Sequence, residues 1–172
     1  FLLYASTDPQ KGFYGGISAF LVENGAGIDY SLVKKMGLHT SSMGHVNFLD
    51  VQLRNEAMLA KEGAGAMIFS ESMNWERALL SALHVGTMRR MLEYCREKLK
   101  EEENQKTKDE LQGRHFKLAD MALRTESARL LAYRAATALA TKHANAMLYA
   151  SMAKDFCSQS LNEVCQVAFE LE

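Results

Sequence analysis

Proline is almost absent from this chain, Pro9 being the single one in 172 residues. A proline inside a helix removes a hydrogen bond and clashes with the preceding turn, so its scarcity leaves room for long unbroken helices. Cysteine is equally sparse. Cys95, Cys157 and Cys165 are an odd number without C-x-x-C spacing, so nothing suggests a disulfide framework. They fall in helical patterns, where a thiol acts as a small hydrophobe, and a reducing interior is expected. No sign of charge dominates, since 20 Lys and Arg oppose 21 Asp and Glu for a net charge of -1. That excludes global steering toward nucleic acid or an anionic membrane. No apolar run approaches the roughly 20 residues needed to span a bilayer, and no charged-then-apolar leader opens the sequence. The protein is expected to be soluble and cytoplasmic, or organellar with its leader missing. His39, His45, His84, His115 and His143 lack the i,i+4 pairing with an intervening Glu that marks a helical zinc site. No Ser sits in a hydrolase elbow. Neither metal nor hydrolase chemistry is expected.

What is present is a core. Hydrophobic residues make up 48% of the chain and charged ones 24%, enough for one ordinary domain or two small ones. Phe1 to Ser6, Gly16 to Glu23, Tyr30 to Lys34 and His45 to Leu53 are short segments rich in β-branched, aromatic and aliphatic residues. Asp8-Pro9 with Gly12, Asn24-Gly25 with Gly27, and Gly37 through Gly44 punctuate them as turns. An antiparallel sheet is predicted. Phe1 replaces an initiating Met and already reads as strand, so strand partners are expected upstream.

From about Gly65 the period shifts from 2 to about 3.6. One apolar stripe runs through Met73, Leu80, Leu83, Met91 and Cys95, joined by Leu79 and Met88, on a helix to about Lys100. A second follows Phe116, Ala119, Leu123, Leu130, Tyr133 and Ala136, and a third Met147, Ala150, Phe156, Val164 and Ala168. The polar run Lys98 to Glu110 reads as a solvated helix end plus a connection, and His143-Ala144-Asn145 as a second connection. Strands followed by three long helices give an α+β fold with the helices segregated. The glycines at 12, 15, 16, 25 and 27 fall between strands instead of opening a helix, so they do not form a dinucleotide-phosphate cradle.

One local pattern carries chemistry. Asn74-Trp75-Glu76-Arg77 lies mid-helix, with Glu76 three residues after Met73 and four before Leu80, on one face with both. A carboxylate beside an apolar stripe can be desolvated, which raises its pKa and suits it to remove a proton from carbon. The competing reading is a surface Glu76-Arg77 ion pair. Spacing alone does not separate the two.

The order of further motifs adds weight to the first and leaves both open. Gly16-Ile17-Ser18-Ala19-Phe20-Leu21-Val22-Glu23, Lys35-Met36-Gly37-Leu38-His39-Thr40-Ser41, Val46-Asn47-Phe48-Leu49-Asp50-Val51 and Lys61-Glu62-Gly63 resemble the middle β-domain of acyl-CoA dehydrogenases. Trp75-Glu76-Arg77, Val85-Gly86, Phe116-Lys117-Leu118-Ala119-Asp120-Met121, Glu126-Ser127-Ala128-Arg129, Tyr133-Arg134-Ala135-Ala136 and Ala153-Lys154 resemble that family's C-terminal helical domain in the same order. The resemblance divides the chain into residues 1–60, part of the β-domain, and 61–172, an incomplete helical bundle of long antiparallel helices. It implies a flavoprotein of fatty acid metabolism, usually a homotetramer, that oxidises the α,β C–C bond of an acyl thioester carried by CoA or an acyl-carrier protein. FAD would accept the β-hydride, and an electron-transfer flavoprotein would reoxidise it. In most members the catalytic base lies beyond the segment matched here; Glu76 matches its position in those members that carry it on this helix and Arg77 matches the substrate-side Arg. Met73 and Leu80 are candidate substrate-binding residues and Trp75, with Met73, a candidate for the pocket wall. Gln166 matches the start of a cofactor-binding segment.

Two departures accompany the match. The family's Arg-x-x-Phe-Gly motif, which contacts the ADP half of FAD across a subunit interface, aligns with Glu102-Glu103-Asn104-Gln105-Lys106. Its Gln-x-x-Gly-Gly-x-Gly pyrophosphate segment begins at Gln166 but continues as Phe169-Glu170-Leu171-Glu172. A homo- or hetero-oligomer is expected, and three readings stay open: an active dehydrogenase, a heteromeric assembly in which this chain has lost its share of the FAD site, and a non-catalytic scaffold without flavin.

Overall fold

A computed structural model describes residues 1–172. The chain forms two compact units, Phe1–Ser70 and Glu71–Glu172.

The first unit carries β1 (Leu2–Ser6), a single irregular turn α1 (Phe13–Gly16), β2 (Ile17–Leu21), β3 (Ile28–Leu32), β4 (Gly44–Phe48) and β5 (Met58–Leu59). They form two sheets where one was expected: a three-stranded sheet in the order β1-β2-β5 and a separate ribbon of β3 and β4. All pairings are antiparallel, with Leu2 opposite Leu21, Phe20 opposite Met58 and Ile28 opposite Phe48. At two residues, β5 is too short to show an alternating pattern, so only its long-range pairing reveals it. The ribbon also begins earlier and ends sooner than the predicted segments, because its register closes on Leu32 opposite Gly44.

Ala19 and Val22 are buried at the centre of the first unit, together with Ser18. A buried hydroxyl is costly unless it is hydrogen-bonded. Ser18 Oγ meets Thr7 Oγ1 at 2.8 Å and accepts from the Gly63 amide at 2.9 Å. Gly63 has φ +78°, and a Cβ there would stand 2.5 Å from the Gly15 carbonyl oxygen, so only glycine fits. This contact anchors the segment that leads into α2 (Gly65–Glu102).

The second unit comprises the rest of α2 with α3 (Lys108–Ala140) and α4 (Ala146–Leu171). The two connections fall at the predicted polar run and at His143-Ala144-Asn145. Helix α3 starts at a capping box, in which the Glu110 amide donates to Thr107 Oγ1 at 3.4 Å and the Thr107 amide donates to Glu110 Oε2 at 2.8 Å. Thr107→Ala is therefore expected to cost about 1 kcal/mol of stability, measured by urea unfolding. Lys117 and Arg124 of α3 pair with Glu170 and Glu163 of α4, so these two helices run antiparallel.

Two buried clusters hold the helices. Met88, Cys95, Met121, Ala128, Cys157, Val164 and Leu171 form one, and Ala78, Ala135, Ala150 and Ala153 the other. Burying a methionine side chain such as Met88 or Met121 stabilises by about 1.5–3 kcal/mol. Burial raises the Cys95 and Cys157 thiol pKa values, which keeps both cysteines protonated and apolar, as their helical positions suggested.

The predicted stripe on α3 is corrected. Phe116, Leu123, Leu130 and Tyr133 are all more than 60% exposed, whereas Leu111, Met121, Thr125, Ala128, Ala132, Ala135 and Ala138 are buried. Small residues face the neighbouring helices here, since backbones can approach closely only where side chains are short. Leu79 and Leu83 of α2 and Met147 of α4 are likewise exposed, against expectation. Met88 and Cys95, and Ala150 and Val164, are buried as their periodicity predicted.

Candidate functional site

Met73, Trp75, Glu76, Arg77 and Leu80 lie within α2, a helix with no proline to interrupt it. Ala78, within this stretch, is 3% exposed and packs in the alanine cluster, so the backbone carrying Glu76 is fixed against α3 and α4. Met73 and Leu80 are half-buried on the turns before and after Glu76, and Trp75 is 38% exposed beside it.

The Glu76-Arg77 pair allowed by the sequence does not form. Arg77 Nη1 donates instead to Asn74 Oδ1 at 3.0 Å, and the Arg77 carbonyl accepts from Ser81 Oγ at 2.8 Å. Glu76 is exposed and has no hydrogen-bond or ion-pair partner. Arg77 is thus held by Asn74, while the neighbouring carboxylate has no partner. The anticipated desolvation of Glu76 is not provided by residues 1–172, which leave the carboxylate in solvent.

Gln166 stands apart from these residues. It is exposed on α4, where its Nε2 donates to Glu170 Oε1 at 3.4 Å. Two turns beyond Glu76, the structure brings out a group that sequence reasoning passed over. His84 is half-buried, with Nδ1 enclosed and unpartnered. Burial pushes its imidazole pKa down and the nearby Lys154 charge adds to the effect, so His84 is neutral at pH 7. No periodic signal could have found it, because its causes are burial and the charge of Lys154, seventy positions along the chain. No group of three or more His, Cys, Asp or Glu side chains could hold a metal ion.

Residues 63–172 match the family model for the acyl-CoA dehydrogenase C-terminal domain. The chain belongs to the acyl-CoA dehydrogenase family. It is 38% identical over 138 residues to an L-prolyl-[peptidyl-carrier protein] dehydrogenase of a Serratia species, covering 78% of this chain and 36% of that protein. With a glutaryl-CoA dehydrogenase of Desulfococcus multivorans it shares 33% identity over 176 residues, covering 99% of this chain and 44% of the relative. Among solved structures, PigA with FAD and proline superposes with a TM-score of 0.88 at 30% identity, over 99% of this chain and 45% of PigA. The chain thus spans less than half the length of these relatives.

The segments that the resemblance assigned to the ADP half of FAD do not fit that group. Helix α4 continues unbroken through Gln166 to Leu171 where glycines would let backbone approach a phosphate. Glu170 pairs with Lys117 at 2.7 Å and Glu102 with Lys106 at 3.0 Å. Lys106 and Lys117 hold their partner carboxyls below the usual glutamate range. A lowered folded pKa means that these pairs contribute above the ordinary glutamate range. The contribution fades as pH falls through the lowered values.

Proposed function

We propose that the full-length protein dehydrogenates an acyl thioester at its α,β C–C bond, with Glu76 as the base that removes the α-proton. The observation that carries this reading is the free carboxylate of Glu76 beside an Arg77 held by Asn74, on the helix of the matched domain. A thioester carbonyl acidifies the adjacent C–H, and a positioned carboxylate within reach of that hydrogen takes the proton as the bond is oxidised. Met73 and Leu80 flank the carboxylate with apolar surface suited to an acyl chain. Arg77, fixed by Asn74, lies on the substrate side.

FAD is the hydride acceptor this reading calls for, supported by the likeness to PigA, which is solved with FAD, and an electron-transfer flavoprotein is the expected reoxidant. The 38% identity to a carrier-protein dehydrogenase favours a carrier-bound acyl group over a CoA ester. A homotetramer is the assembly proposed, in the cytoplasm; no helix is long and apolar enough to cross a membrane.

The test is to purify the full-length protein and add prolyl-carrier protein or acyl-CoA under anaerobic conditions. Bleaching of a bound flavin by either thioester is the expected result. A protein that purifies colourless and remains inert with added FAD would overturn the reading in favour of a non-catalytic scaffold.

A further inference from the structure

We infer that the bundle end built from residues 101–117 and 163–171 is an ion-paired clasp that takes no dinucleotide phosphate. Any FAD in the assembled protein then keeps its ADP half clear of this chain's clasp; this corollary rests on the flavoprotein reading above.

A phosphate site needs uncommitted donors: cationic side chains or the open amides of a helix N-terminus. At this end the cations are largely committed. Glu102 binds both Lys106 at 3.0 Å and Arg114 at 3.2 Å. Arg114 also donates to the Leu171 carbonyl, joining the α2–α3 connection to α4. Its Nε is buried and out of reach of a ligand. Lys117 pairs with Glu170 at 2.7 Å, His115 lies 3.5 Å from Glu103, and Arg124 pairs with Glu163. Lys98 is taken by Glu101 at 3.4 Å.

The helix N-terminus at this end is occupied in the same manner. The Glu110 amide bonds to Thr107 Oγ1, while the Glu110 carboxylate turns back to the Thr107 amide. Asp109 and Glu110 add two negative charges to the first turn. Such carboxylates stabilise the helix dipole themselves, leaving little for an external anion. Lys100 and Lys108 make no ion pair, but Lys98–Glu110 holds four lysines against five carboxylates. A pyrophosphate placed here would break existing pairs and face Glu101, Glu103 and Asp109.

A clasp and a phosphate site respond differently when a cation is removed. In the full-length protein, Lys117→Met and Glu170→Gln are each expected to lower the melting temperature by about 1–3 °C. Their double variant should fall no further than either single one. The flavin-to-protein ratio of Lys117→Met should stay within about twofold of the parent. Neutralising one phosphate contact would instead weaken flavin retention by about tenfold or more.

A second arm uses ADP alone with hydrogen exchange. Saturating ADP should leave amide protection at 101–107 and 166–171 unchanged. Protection of either segment by ADP, or tenfold flavin loss in Lys117→Met, would overturn the inference. If the parent purifies without flavin and is inert, the dehydrogenase reading fails by itself, and the ADP and melting arms still decide for or against the clasp.

Discussion

Glu76→Gln in the full-length protein is expected to slow thioester-driven flavin reduction by about 10³-fold, within a range of 10² to 10⁴. That corresponds to about 4 kcal/mol of lost transition-state stabilisation. Glutamine keeps the length, planarity and helix preference of glutamate and removes only the capacity to take a proton. Because the Glu76 side chain makes no hydrogen bond or ion pair within the chain, the change breaks no side-chain contact that holds α2. The melting temperature should therefore stay constant while kcat falls, and the substrate affinity should change little. Single-turnover flavin bleaching measures the chemical step directly. An unchanged rate would remove Glu76 from the mechanism while leaving family membership intact.

The placement of Met73 to Leu80 on one helix was legible because these residues lie within eight positions of each other. Helical period and motif order suffice for features that local. The starts of α2 and α4 and the polar connection between α2 and α3 were legible for the same reason. Other features depend on pairings across the chain. Helix α3 is apolar on more than one side, so its pattern could not indicate which side meets α4. Large residues dominate a periodicity reading, yet Phe116, Leu123, Leu130 and Tyr133 are exposed here while four alanines of the same helix are buried. Strand β5 joins its sheet only through contacts with β2 some 38 residues earlier, Phe20 with Met58. The Lys117–Glu170 pair spans 53 positions, and nothing in either local sequence announces the other. The lost Arg-x-x-Phe-Gly and glycine motifs were visible as absences, whereas the ion pairs that replace them needed the fold.

The reversal of faces on α3 leads to the second large effect. Ala135→Leu is expected to destabilise the protein by about 1–3 kcal/mol, even though it replaces one strong helix former with another. Ala135 is fully buried among Ala78, Ala150 and Ala153, each at most 3% exposed, with Leu131, Leu139 and Tyr149 at the margin. Three helices meet there through methyl groups, and an isobutyl side chain can enter only by pushing a helix away. Leu130→Ala, one of the changes a large-residue stripe would rank as severe, should cost no more than about 0.5 kcal/mol in residues 1–172, since Leu130 is 62% exposed. Urea unfolding of both variants separates the two packings: a costly Leu130→Ala beside a harmless Ala135→Leu would mean that α3 packs by its large residues. The same substitution reaches the chemistry, because Ala78 lies two positions after Glu76 on α2. On the proposed role of Glu76 as base, pushing that turn outward by about 1 Å would move the carboxylate away from the α-proton, and a displacement of that size is worth about 10²-fold in rate. Ala135→Leu should therefore lower both stability and turnover, whereas Glu76→Gln lowers turnover alone, and that contrast distinguishes the positioning of the base from its chemistry.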